Sequence, residues 1–345
     1  MKETLYIAHP DRYTTGVGYR RCGQSGILLP KISLGMWHNF GHTHSVETAR
    51  NILFHAFNNG ITHFDLANNY GPPPGTAELF FGQMMKGSFA PYRDEMFIAT
   101  KAGYDMWEGP YGSWGSRKHL ISSLNQSLQR MNLDYVDLFY SHRYDPNTPL
   151  EETLQTLVDI VRSGKALYVG ISRWPREATE FAFQYLRESK VPALIYQGRF
   201  NLLDRAPKQE GILEAAHKAG SGFISFSPLA QGLLSNRYLN GIPEGSRMTE
   251  ERFLKSEMLT PSILYKIKQL NKLAEERGET LAGMALAWIL HHPEVTSVLV
   301  GVSSPEQLTL NLKATQAAPF STEELQRIEQ IMAQQAETNT PHTLM

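Results

Sequence analysis

Four residues could do chemistry together: Asp65, Tyr70, Lys101 and His142. Asp65 lies in the apolar run Ile61 to Leu66, and Tyr70 follows in a turn-rich loop that continues through Gly71-Pro72-Pro73-Pro74-Gly75. Lys101 closes Met96-Phe97-Ile98-Ala99-Thr100-Lys101, and His142 closes Val136-Asp137-Leu138-Phe139-Tyr140-Ser141-His142. A carboxylate inside an apolar strand is costly to bury without a cation or hydrogen bonds, and Lys101 offers the cation. A phenol in a Gly/Pro loop can give up a proton. The chemistry that uses this set is carbonyl reduction. A hydride arriving at carbon makes the oxygen basic, and a general acid must protonate it. Tyrosine holds its proton at neutral pH, a nearby ammonium is expected to lower its pKa, and a buried Asp keeps that ammonium charged. The imidazole can hydrogen-bond the carbonyl oxygen and fix its pose. Each residue alone has an ordinary structural explanation, as a turn cap, a packing ring or a solvated strand end. Their joint placement at successive strand ends favours a site.

The elements that must position them alternate. A hairpin over 19–30 is followed by a strand from Ile32 to Met36 and a helix from Ser45 to about Asn58. Strands at 61–66, 96–101, 135–142, 166–172, 193–197, 222–227 and 297–301 each lead into helical pattern, with stops such as Gly164 and caps such as Ser45. A final amphipathic helix covers about 322–333. Helical crossovers between apolar strands imply parallel pairing with right-handed connections. Eight such units predict an α/β fold, a single-domain (β/α)8 TIM barrel with an N-terminal hairpin and extra C-terminal helices. The alternative, an open doubly wound sheet, lacks the Gly-x-Gly-x-x-Gly turn after any strand. The expected organisation is a lead-in over 1–18, the barrel over 19–333 and a polar tail over 334–345.

Composition narrows the partners. The 345 residues are 41% hydrophobic and 19% charged, enough for a sizeable core, and the formal net charge of -1 argues against nucleic acid. The single cysteine, Cys22, allows no intrachain disulfide and argues against a cysteine metal site. His9, His38, His42 and His44 match no ligand spacing, so no metal is expected. No run approaches the ~20 apolar residues of a membrane span, and no signal peptide opens the chain. A cytoplasmic location is expected.

The chain resembles the aldo-keto reductases from about Tyr19 to Ala314. The resemblance rests on Phe64-Asp65-Leu66-Ala67-Asn68-Asn69-Tyr70-Gly71 with Glu78 and Phe81-Gly82, on Thr100-Lys101 and Ser141-His142, and on Val169-Gly170-Ile171-Ser172. It continues in Gln197 with Asn201, in 227–233, and in Gly301-Val302-Ser303 with Gln307 and Asn311. The family's tetrad carries over onto Asp65, Tyr70, Lys101 and His142, with Tyr70 as proton donor. The resemblance implies NADPH, held by Trp37 and Asp65, by Ser172 and Gln197 near the carboxamide, and by Ser227, Leu229, Gln231 and Gly232 along the pyrophosphate. Ser303, Gln307 and Asn311 would meet the adenosine end, with Arg237 and Arg247 near the 2′-phosphate. Arg173 stands where Asn is common in the family. Residues 37–41, the insert 71–75 and the segments 104–107 and 109–112 resemble a bacterial branch, the L-glyceraldehyde 3-phosphate reductases. That branch is related to potassium-channel β subunits and implies a homo-oligomer, a tetramer or larger. The implied substrates are small aldehydes such as L-glyceraldehyde 3-phosphate or methylglyoxal. Trp37, Tyr70, Tyr104, Trp107 and His142, with Trp114, would form the pocket, and Arg143 would meet a substrate anion. The alternative is an NADPH-binding regulatory subunit with slow turnover. His142 leans towards an enzyme, because the channel relatives often carry Asn there.

Overall fold

Apolar strands too short to cover themselves must bury both faces, and helices capped at their starts supply the cover. The computed structural model describes residues 6–14, 16–42, 45–239, 241 and 256–334. An antiparallel hairpin, β1 (Tyr19–Arg21) and β2 (Leu28–Pro30), precedes the barrel. Then come β3 (Ile32–Gly35), α1 (Val46–Asn58), β4 (His63–Asp65), α2 (Thr76–Lys86), β5 (Phe97–Ala102), α3 (Arg117–Met131), β6 (Val136–Ser141) and α4 (Leu150–Arg162). They are followed by β7 (Ala166–Ser172), α5 (Arg176–Glu188), β8 (Ile195–Arg199), α6 (Ala206–Gln209), α7 (Ile212–Ala219), β9 (Gly222–Phe226), α8 (Pro261–Glu276), α9 (Leu281–His291), β10 (Val295–Val300), α10 (Pro305–Leu312) and α11 (Thr322–Ala333). Strands β3 to β10 form a closed parallel barrel in which β10 pairs with both β3 and β9. The architecture is the expected (β/α)8 TIM barrel.

The caps explain the helix starts. Ser45, Ser116, Thr260, Thr280, Ser304 and Ser321 each accept a backbone N–H of the first turn, and Ser321 with Glu324 completes a reciprocal capping box. The helix after β8 starts at Ile212 rather than near Glu210, following Gly211 at φ +75°, and the short α6 precedes it. Strand β8 begins two residues later than expected, at Ile195. α9 is apolar nearly all round and is buried along most of its length, Leu281 to Leu290.

The hairpin covers the end of the barrel where the strands begin. Its turn lies so close to the loop before β9 that a Cβ on Gly23 would stand 2.1 Å from the Gly220 carbonyl oxygen. Cys22 and Leu29 are fully buried against Leu194, Ile224 and Leu299. Arg20 donates to the carbonyls of Leu290 and Val295 at 2.6 and 2.8 Å. The described residues of the lead-in are docked: the Tyr6 ring stacks on Phe54 at 3.9 Å, and the Ala8 amide donates to the Tyr92 hydroxyl at 3.0 Å. The opposite end of the barrel is left to the loops that follow the strands. Residues 335–345 of the expected tail lie outside the described residues.

Candidate active site

Asp65 is the last residue of β4, and Lys101 stands one before the end of β5, where Asp65 is in register with Ala99. Both are fully buried. The three protons of the Lys101 ammonium have three acceptors: the Asp65 carboxylate Oδ2, the Leu66 carbonyl at 2.7 Å and the Tyr70 hydroxyl at 3.4 Å. The other Asp65 oxygen accepts from Gln197 Nε2 at 3.1 Å. The backbone ladder continues past β4, since Leu66 N donates to Ala99 O and Asn68 N to Lys101 O. That extension places Tyr70 above Lys101, with the ammonium 4.9 Å from the ring centroid. His142 lies one residue beyond β6 and is tied to β5 through the Ala102 carbonyl. Its ring meets Tyr70 edge to face at 5.8 Å and Tyr104 at 4.7 Å. The four residues singled out at successive strand ends are therefore in one place.

Electrostatics divides their roles. Burial pushes the Asp65 carboxyl up and the Lys101 ammonium down, and the charge of each opposes the shift in the other. The His142 imidazole is held well below its ordinary value by burial, then by Lys101, Arg173 and Arg143. It is neutral and keeps one N–H to donate, while its Nδ1 is buried without a partner among the described residues. Tyr70 departs from expectation. Its phenol is partly buried rather than exposed, and its pKa is raised well above 10.0 instead of lowered. Burial is the main cause, followed by Asp65 and Tyr104. The physical reason is that Asp65 already neutralises Lys101, so the pair presents little net positive charge to the phenol. The phenol keeps its proton until a stronger base arrives.

Trp37 and Tyr104 join the tetrad, the Trp37 ring lying 6.5 Å from that of Tyr70. Trp107 makes its ring contact elsewhere, with His119 of α3 at 5.0 Å. Arg143 is engaged within the protein. Its Nε donates to the Gly103 carbonyl at 2.8 Å and its Nη2 to Ser113 at 2.9 Å, while its guanidinium covers the Tyr104 and Trp114 rings at 4.5 and 3.5 Å. It fastens the loop 103–115 to the barrel. Sequence reading had no means to see this, because the partners are carbonyls and rings up to 40 residues away.

Of the residues expected to hold a dinucleotide, Ser172 closes β7, Gln197 lies in β8, 227–232 follow β9, Ser303 follows β10, and Gln307 and Asn311 lie in α10. Ser172 Oγ and Asn311 Nδ2 are buried and have no partner among the described residues, so both can take up ligand hydrogen bonds. Ser227 and Gln231, with Ala230, adopt φ between 47° and 60°, a conformation L residues rarely keep without a functional reason. Leu229 and Gly232 belong to the same loop, and Asn201 holds it by donating to the Ser227 carbonyl at 2.9 Å. Ser303 donates twice to Gln307 at the start of α10. This donor set fits an extended dinucleotide. Arg237 is exposed beside it, and Arg247 lies outside the described residues. Among the described residues no group of three His, Cys, Asp or Glu is placed to hold a metal, and no helix is long and apolar enough to cross a membrane.

Three features escaped sequence reading. Gln197 fixes the Asp65 carboxylate from 132 positions away. Asn68 is fully buried beside Lys101, with both side-chain polar atoms unpartnered among the described residues. Glu78, also fully buried, accepts from Thr100 at 2.5 Å and Arg130 at 2.7 Å, bracing the strand that carries Lys101. All three residues stand in the stretches that carry the family resemblance, but these contacts were not legible in them.

A barrel mouth with a buried carboxylate–ammonium pair under a protonated phenol, flanked by a neutral imidazole, defines an oxidoreductase that handles carbonyls. The chain belongs to the aldo/keto reductase family, whose pattern matches residues 31–333, and members of that family use nicotinamide cofactors. It is 55% identical over 333 residues to an L-glyceraldehyde 3-phosphate reductase of Escherichia coli O157:H7, which covers 95% of this chain and 96% of that protein. It is 54% identical, with the same coverage, to the protein of that name from Escherichia coli strain K12.

Proposed function

We propose that the chain reduces small aldehydes to alcohols with NADPH, L-glyceraldehyde 3-phosphate or a methylglyoxal-like dicarbonyl being the substrate and Tyr70 the proton donor. The observation that carries this reading is the Lys101 ammonium, which touches both the Asp65 carboxylate and the Tyr70 hydroxyl at 3.4 Å. Bound nicotinamide supplies the hydride. The chain's residues do the rest. The neutral His142 donates a hydrogen bond to the carbonyl oxygen and holds it beside Tyr70. Burial keeps the phenol protonated until the oxygen gains electron density; Tyr70 then transfers its proton, and Lys101 stabilises the phenolate left behind. Ser172, Gln197, the loop 227–232 with Leu229, Ser303, Gln307 and Asn311 would hold the cofactor, with Arg237 and Arg247 at its 2′-phosphate. Trp37 and Tyr104 would wall the substrate. Likeness to the reductases also supports a single catalytic domain over 19–333 and a cytoplasmic homo-oligomer.

The test is cofactor oxidation with L-glyceraldehyde 3-phosphate, methylglyoxal and 4-nitrobenzaldehyde, comparing wild type with Tyr70→Phe. Turnover should fall by about 10²- to 10⁴-fold in the variant while cofactor binding persists. Tight NADPH binding by wild type without turnover of any aldehyde would replace the enzyme with a cofactor-sensing regulator.

A further inference from the structure

We propose that Arg173 is the specificity-determining residue of this site, receiving the phosphate of a phosphorylated aldehyde while the carbonyl end lies between Tyr70 and His142. The inference deepens the reductase reading and rests on it.

Arg173 directly follows β7 and holds φ +59°. A long side chain gains nothing locally from that conformation, unlike Asn or Asp. The position projects a guanidinium across the mouth towards the loop after β5. There Nη1 donates to the Tyr104 hydroxyl at 2.8 Å. The Tyr104 ring lies on His142 at 4.7 Å, and His142 lies on Tyr70 at 5.8 Å. Arg173 is therefore one ring removed from the imidazole, about the reach of a three-carbon chain. Its charge is felt at both His142 and Tyr70.

The state of the neighbouring cations singles it out. Lys101 is committed to Asp65, Leu66 and Tyr70. Arg143 is committed to Gly103, Ser113 and two rings, with Asp105 at 3.8 Å. Among the described residues the Arg173 guanidinium makes one hydrogen bond, to a neutral phenol, and no ion pair. It is exposed, so its remaining N–H donors are open to a ligand. A planar fork with donors to spare is the geometry that a phosphate dianion rewards, through charge-assisted paired bonds.

The experiment measures kcat and KM of the NADPH-supplied enzyme for L-glyceraldehyde 3-phosphate and for 4-nitrobenzaldehyde, in wild type, Arg173→Met and Arg173→Lys. The Met variant should lower kcat/KM for the phosphorylated aldehyde by about 10- to 100-fold more than for the uncharged one, mainly through KM. The Lys variant should recover part of that preference, because charge returns without the fork. Glycerol 3-phosphate, competing with 4-nitrobenzaldehyde, should lose potency in the same order. Equal losses on both aldehydes overturn the proposal. So does a higher KM for NADPH with unchanged aldehyde preference, which would give the guanidinium to the cofactor diphosphate instead. A wild type that reduces neither aldehyde overturns the reductase reading, an outcome visible before any variant is made.

Discussion

Lys101→Met tests whether the buried pair is a true ion pair. The substitution keeps the volume of the side-chain stem and removes the ammonium, leaving Asp65 fully buried with one hydrogen bond, from Gln197. An unpaired carboxylate in such a place takes up a proton rather than stay charged. The unfolded chain holds the same carboxyl at 3.8, so each pH unit above that value adds about 1.4 kcal/mol to the cost of folding with Asp65 protonated. The variant should therefore be destabilised relative to wild type by about 4 kcal/mol near pH 7 but by only about 2 kcal/mol near pH 5. The sign follows from the raised folded pKa: the folded variant binds the proton more tightly than the unfolded chain, so acid relieves the penalty. Adding Asp65→Asn should remove most of the loss at both pH values, because no charge is left to bury. The assay is urea unfolding followed by fluorescence and circular dichroism at the two pH values, with wild type as reference at each. A destabilisation independent of pH, or a double variant as unstable as the single one, would refute the argument. Activity should be lost in both variants, which separates the pair's chemical role from its structural one.

Two further outcomes follow from the same geometry. Because Arg143 fastens the loop 103–115 rather than facing a substrate, Arg143→Ala should raise KM for charged and uncharged aldehydes alike, by roughly tenfold, for the loss of two hydrogen bonds; a loss confined to anionic substrates would return Arg143 to the pocket. His63 and His292 are held neutral by burial, at about 3 and about 4 against 6.5 in the unfolded chain. Their folded values are depressed, so stability is complete above 6.5 and is lost as pH falls towards those values, by about 2 kcal/mol each at about pH 5. His292→Gln should flatten that fall measurably in pH-dependent unfolding; an unchanged slope would show that His292 is already charged in the folded protein.

The barrel was legible because its signals are local. Apolar strands of three to seven residues, serine and threonine caps, and stops such as Gly164 each act within a few positions, and eight repetitions leave one closed solution. Asp65, Tyr70, Lys101 and His142 were legible for a related reason: a residue at a strand end has its destination set by topology before any contact is known. What topology does not set is what else arrives there. The pKa of Tyr70 depends first on how deeply the phenol is buried and then on the charges of Asp65 and Tyr104, and the freedom of Arg143 depends on a carbonyl, a hydroxyl and rings brought by another loop. Trp107 shows the same limit from the other side, since a ring four residues from Gly103 turned to α3 instead of the mouth.

The N-terminal hairpin places a constraint on the order of assembly. It leaves the ribosome well before the surfaces that receive it. Cys22 donates to the Leu194 carbonyl, the Gln24 amide donates to the Gly220 carbonyl, and Arg20 donates to the carbonyls of Leu290 and Val295, contacts 172 to 275 residues apart. Until β10 has closed the ring between β9 and β3, Leu29 and Cys22 have no complete seat. The hairpin over 19–30 must therefore wait until β10 is made, and its docking is a late step that locks a finished barrel rather than a nucleus that starts one.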